Sequence, residues 1–147
     1  MRLLQLHRMV QALEPFTIYF KDYSVSYQHG GKEEGQRVID TTESASTWGA
    51  APIFDGNNNL NTHFIGHIGV QFHDIQNEEW VTVTDAAGKP THYYVTATYI
   101  IDDRGVEIST RESRKEAVLG KGDVEKISLQ TCITDDLNWI VEAKKVP

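Results

Sequence analysis

Residues 80–101 read Trp80-Val81-Thr82-Val83-Thr84-Asp85-Ala86-Ala87-Gly88-Lys89-Pro90-Thr91-His92-Tyr93-Tyr94-Val95-Thr96-Ala97-Thr98-Tyr99-Ile100-Ile101. The first five alternate apolar and polar with period two, as in a half-buried strand. Ala87-Gly88-Lys89-Pro90 supplies a turn, and Tyr93 to Ile101 is rich in the β-branched and aromatic residues that strands prefer. This is a β-hairpin, and it sets the class of the fold.

The same reading extends in both directions. Upstream, Phe16 to Phe20 and Tyr23 to Tyr27 read as strands, and His29-Gly30-Gly31 as a turn. The polar run from Asp40 to Asn59 reads as a long surface loop anchored by Trp48 and Phe54. Thr62 to Ile68 returns to strand character, and Phe72 to Glu79 reads as a helical turn. Downstream, Asp103-Arg104-Gly105 ends the hairpin, Arg111 to Leu119 is a run of helix formers, and Gly120 to Asp123 is a turn. Val124 to Cys132 and Asn138 to Val146 are the last two strands. The sum is one antiparallel β domain over residues 15–147, a barrel with short helices in its loops.

Composition agrees with a single globular domain. The chain has 147 residues, of which 39% are hydrophobic and 24% charged. A formal charge of −7 argues against nonspecific nucleic-acid binding, which needs a positive surface. Leu3, Leu6, Val10 and Leu13 recur at helical spacing, so residues 1–14 read as an amphipathic helical segment. Arg2, Gln5, His7, Arg8 and Gln11 interrupt it, leaving neither a membrane span nor a signal-peptide core.

Two metal readings fail on spacing. His63 and His67 would form a zinc pair on a helix, but Phe64-Ile65-Gly66 between them reads as strand. Four strand positions span ~13 Å, too far for one ion. Asp55-Gly56-Asn57-Asn58-Asn59 begins like a calcium loop, but Leu60 stands where the turn glycine belongs and Gly66 where the bidentate Glu belongs.

The chain has one cysteine, Cys132, so no internal disulfide forms. A lone cysteine is more often a small buried hydrophobe than a nucleophile. Cys132, however, ends the alternating strand Ile127-Ser128-Leu129-Gln130-Thr131 and precedes a polar turn, where a thiol is accessible. His67 ends its own strand after Gly66, a residue that permits close approach by another chain. A nearby imidazole stabilises a thiolate or removes the thiol proton during attack.

These residues carry a family resemblance. Asn61-Thr62-His63-Phe64-Ile65-Gly66-His67 resembles the sortase strand that ends in Gly-His. Ile127-Ser128-Leu129-Gln130-Thr131-Cys132 resembles the sortase Thr-Leu-x-Thr-Cys segment, with Ser128 replacing the first Thr. His precedes Cys by about 65 residues, in the family's order, and the resemblance runs from about Phe16 to the end.

The resemblance implies an eight-stranded β-barrel at the surface of a Gram-positive cell. It implies a cysteine transpeptidase that cuts an LPXTG-type sorting signal, holds the fragment as a thioester, and passes it to a cell-wall or pilin amine. Cys132 would be the nucleophile and His67 the acid and base, with Ile65 and Thr131 against the substrate. Residues 105–122 correspond to the loop that closes over the peptide. No cofactor is implied; calcium, used by some relatives, is not assigned to Glu107, Glu112 or Glu116.

One position departs from the family. Sortases place an Arg at the start of the last strand, and here the matching residue is Asn138, which lacks the charge and the forked geometry. Asn138 acting more weakly, Arg111 or Arg114 replacing the missing cation, and a peptide-binding module with weak or lost catalysis all stay open. A cysteine peptidase with water as acceptor is a further alternative.

Overall fold

The computed structural model describes residues 13–48 and 60–147. The helical reading of residues 1–14, the Phe54 anchor and the Asp55–Asn59 loop fall wholly or mostly outside them. Eight strands close into a barrel: β1 (Thr17–Phe20), β2 (Tyr23–Gln28), β3 (Ala45–Thr47), β4 (Asn61–Gly66), β5 (Trp80–Thr84), β6 (Pro90–Ile101), β7 (Lys126–Cys132) and β8 (Asn138–Lys145). Their order around the barrel is β1-β2-β3-β4-β7-β8-β6-β5, and β5 returns to pair with β1. Strand alternation sends Ile18, Phe20, Phe64, Val81, Val83, Val95, Ile127, Leu129 and Val141 into one buried interior. Tyr27 lies edge-on to Phe64 and donates its hydroxyl to the Thr84 carbonyl at 2.7 Å, so its polar end is satisfied inside the core.

The hairpin expected at residues 80–101 is β5 and β6, paired antiparallel from Trp80–Tyr94 to Thr84–Pro90. The sheet is mixed, however, and corrects the all-antiparallel expectation: β2 pairs with β3 and β4 with β7 in parallel. Parallel neighbours need a crossover connection. For β2 and β3 that crossover is a helix, α1 (Gly31–Thr41), which fills the stretch between the expected turn at His29–Gly31 and the expected loop from Asp40, where the sequence reading placed no element. Val38 and Ile39 are buried on α1, and Gly35 approaches β3 and β4 closely. A Cβ on Gly35 would lie 3.0 Å from the Trp48 ring and 3.1 Å from the Thr47 carbonyl oxygen.

The connection between β6 and β7 lies over the outer face of the β4–β7 pair. It carries one short helix, α2 (Lys115–Leu119), shorter than the Arg111–Leu119 run. Arg111 to Arg114 are instead held by Glu107: the Arg111 amide donates to its carbonyl and the Arg114 guanidinium meets its carboxylate. Asn61 and Lys126 cap the end of α2, donating to the carbonyls of Val118 at 2.9 Å and Ala117 at 2.8 Å. These side chains satisfy carbonyls that a helix end leaves without partners, and the lysine charge suits that end of the helix. Val118 then packs against Ile101 and Ile140.

Candidate active site

The register of β4, β7, β8 and β6 brings the chemistry to one level of the barrel. Gly66 pairs with Thr131 across the parallel β4–β7 ladder, so His67 and Cys132 leave their strands at the same height. Across the other edge of β7, Cys132 pairs with Asn138, and Asn138 pairs in turn with Ile101 of β6. Cys132 is exposed.

Gly66 is required by its neighbours. A Cβ there would lie 2.5 Å from Cγ2 of Val70 in the turn that follows, and 3.4 Å from the Phe72 ring. His67 thus leaves the strand into a tight return formed by two single-turn 3₁₀ helices, Ile68–Val70 and Phe72–Asp74.

Beside this level lies an open groove of about 330 Å³. Its floor is the outward face of β4 and β7, where His63, Ile65, Gln130 and Cys132 alternate with the core residues Phe64 and Leu129. One wall is α1 with Trp48, and the other runs from Asp102 to Gly105 and from Arg114 to Leu119. Asn138 stands at the Cys132 end. An open cleft of this shape suits an extended chain.

Four of the seven candidate residues, Ile65, Arg114, Cys132 and Asn138, line the groove. Thr131 is buried on the core side of β7. His67 turns instead toward α1, where its Nε2 lies 2.6 Å from Oδ1 of Asp40. Its Nδ1 makes no hydrogen bond among the described residues, and neither does the Cys132 thiol. The contact holds the Asp40 carboxyl below the usual carboxylate range, chiefly through the hydrogen bond to His67 and secondly through one from Gln36.

Arg114 is already engaged. Its guanidinium lies 2.6 Å from Glu107 and 3.3 Å from Glu112, and 5.3 Å from the centre of the Tyr99 ring. Arg111 is exposed, adopts φ +65°, and does not line the groove. The exposed Arg104 does line it, beside Asp102.

Sequence reasoning missed Asp40, Gln130 and Arg104. Asp40 was hidden with its helix, although Glu33 and Glu34 near the helix start are an N-terminal signal. Gln130 has the alternation of a solvent-facing strand residue, and only the β6–β7 connection makes it a groove residue.

No protein-family model matches the sequence, and no curated protein matches it. Solved structures do. Sortase C-1 from Actinomyces oris superposes with a TM-score of 0.67 at 14% identity, over 99% of this chain and 81% of its own. A lid mutant of sortase A from Corynebacterium diphtheriae gives 0.66 at 14%, over 99% and 77%. Sortase C from Clostridium perfringens, solved with the C-terminal cell wall sorting motif, gives 0.57 at 11%, over 94% and 74%. The fold of this chain is therefore the sortase barrel, reached at identities that speak for architecture alone.

Proposed function

We propose that this chain is a cysteine transpeptidase of the sortase type. The observation that supports the reading is the placement of an accessible thiol, Cys132, on the floor of an open groove, between Asn138 on one side and the His67 level on the other. In this account the substrate is a sorting-signal peptide of the LPXTG type, laid along β4 and β7. The Cys132 thiolate attacks the scissile carbonyl and the amide C–N bond breaks. The leaving amine takes a proton from His67, and the peptide remains as a thioester. An incoming cell-wall or pilin amine gives its proton to His67 and displaces the thiolate.

Asn138 stands beside Cys132, where its amide N–H₂ would donate to the developing oxyanion. Ile65 packs under the peptide, and Thr131 fixes the backbone that presents the thiol. The activity places the protein outside the cytoplasm, at the surface of a Gram-positive cell; no helix among the described residues is long and apolar enough to cross a membrane. Product analysis with and without an added amine tests the reading, since ligated product requires transfer and free acid alone means a peptidase.

A second reading has its own observation. No hydrogen bond joins His67 to Cys132, and on the sequence resemblance Asn138 stands where the family Arg is expected. A groove that binds sorting peptides without cleaving them fits both, and binding without a covalent adduct is its signature.

A further inference from the structure

The floor of the groove contains a polar pair that the proposed chemistry does not use. His63 is only 3% exposed, lines the groove from β4, and places Nε2 2.9 Å from Oε1 of Gln130 on β7. Because Gln130 presents its oxygen, Nε2 carries the proton and donates. Burial lowers the His63 pKa to about 4, so the ring is neutral at physiological pH and Nδ1 is a bare acceptor. That Nδ1 is buried and has no partner among the described residues. Nearby Ser128 is already committed, its hydroxyl donating to Asn61 Oδ1 at 3.0 Å. The Gln130 amide N–H₂ makes no hydrogen bond of its own among the described residues.

Buried polar atoms are nearly always paired, and an exception beside an open groove points to a partner from outside. The pair offers one acceptor and one donor on an otherwise apolar floor formed with Ile65. A charged side chain would lose its hydration here without a counter-charge at the pair, and an aliphatic one would leave Nδ1 unpaired. A neutral side chain with its own donor satisfies the site.

We propose that His63 and Gln130 form a hydrogen-bonding specificity subsite for a hydroxyl- or carboxamide-bearing side chain. Gln130 lies two strand positions from Cys132, and His63 pairs with Ser128, four positions away. At ~3.3 Å per residue for strand and extended peptide alike, the selected residue stands about two to four positions from the bond that Cys132 attacks. The inference rests on the peptide-processing reading above, and it names the chemical class of side chain that the groove takes.

The test is a positional scan over this window with near-isosteric pairs, Asn against Leu and Gln against Met. Turnover is read on the unaltered chain, and binding on Cys132→Ala by fluorescence anisotropy and by the imidazole ¹⁵N shifts of His63. At one position the carboxamide peptide is favoured about tenfold or more over its apolar partner. Its binding moves the Nδ1 resonance, and Gln130→Leu, at a half-buried site, removes the preference. Cleavage with no preference, or with the apolar peptide favoured, overturns the subsite and leaves the transpeptidase reading standing. Carboxamide-selective binding that moves the Nδ1 resonance, with no cleavage or adduct at Cys132, upholds the subsite and overturns the transpeptidase reading.

Discussion

His67 Nε2 lies 2.6 Å from Oδ1 of Asp40, so the helix that forms one wall of the groove also holds the imidazole. This leaves Nδ1 as the ring nitrogen without a hydrogen bond among the described residues, and the one the proposed proton transfer would use. Asp40 itself is half exposed and accepts a second hydrogen bond from Gln36 at 3.0 Å. On the proposed mechanism the carboxylate would act through His67, as a positioning group.

Asp40→Asn keeps the shape and removes the charge. General acid–base catalysis is worth ~10²–10⁴, and an exposed orienting contact should carry a minor part of it, about tenfold in kcat/KM. The Asp40 pKa is lowered in the folded protein, so the contact is intact above the ordinary carboxylate range. It is lost only as pH falls through that lowered value. The acid limb of the pH–rate profile should therefore change in Asp40→Asn; an unchanged rate and profile would remove Asp40 from the mechanism.

Gly66→Ala should destabilise the barrel at the site itself. The added methyl would lie 2.5 Å from Val70 Cγ2, a clash that forces the 3₁₀ turn after His67 to shift. Overpacking of this kind costs about 1–3 kcal/mol, read as a lower Tm. Val70→Ala in the same chain should recover part of the loss.

Asn138→Ala tests the donor next to Cys132. Loss of one oxyanion donor costs ~10²–10³ in kcat. Arg114→Ala should lower kcat less, because its guanidinium is spent on Glu107 and Glu112. The reverse ranking would make Arg114 the oxyanion cation.

Arg114→Ala should instead loosen the β6–β7 connection. Glu107 is held below the usual carboxylate range by hydrogen bonds from Ser109 and Arg114, so this anchor also persists until pH falls through the lowered value. Amide exchange over residues 103–119 should quicken in the variant while β1 and β5 stay protected. Unchanged exchange in the segment would mean that Asn61 and Lys126 anchor it alone.

The strands were legible wherever one face meets the core and the other meets water. Trp80–Thr84 alternates cleanly because β5 does so, and the pairing of Cys132 with a residue at the start of β8 follows from the turn between them. The helix α1 was not legible, since Gly35, Val38 and Ile39 are its only buried residues and leave too sparse a period. With it went the parallel β2–β3 pairing and the partner of His67. The parallel pairing of β4 with β7 joins residues far apart in the chain, a register no local pattern specifies. His63 drew notice for its spacing from His67, yet its partner is Gln130, 67 residues away.

The most direct test of the central claim is mass spectrometry of the intact protein after incubation with a pool of LPXTG-type peptides varied at each position, with and without a nucleophilic amine. The account predicts an acyl adduct on Cys132 that the amine converts to ligated peptide, and no adduct on Cys132→Ala. Cleavage that survives in Cys132→Ala, or bound peptide with no adduct in the unaltered chain, would contradict it.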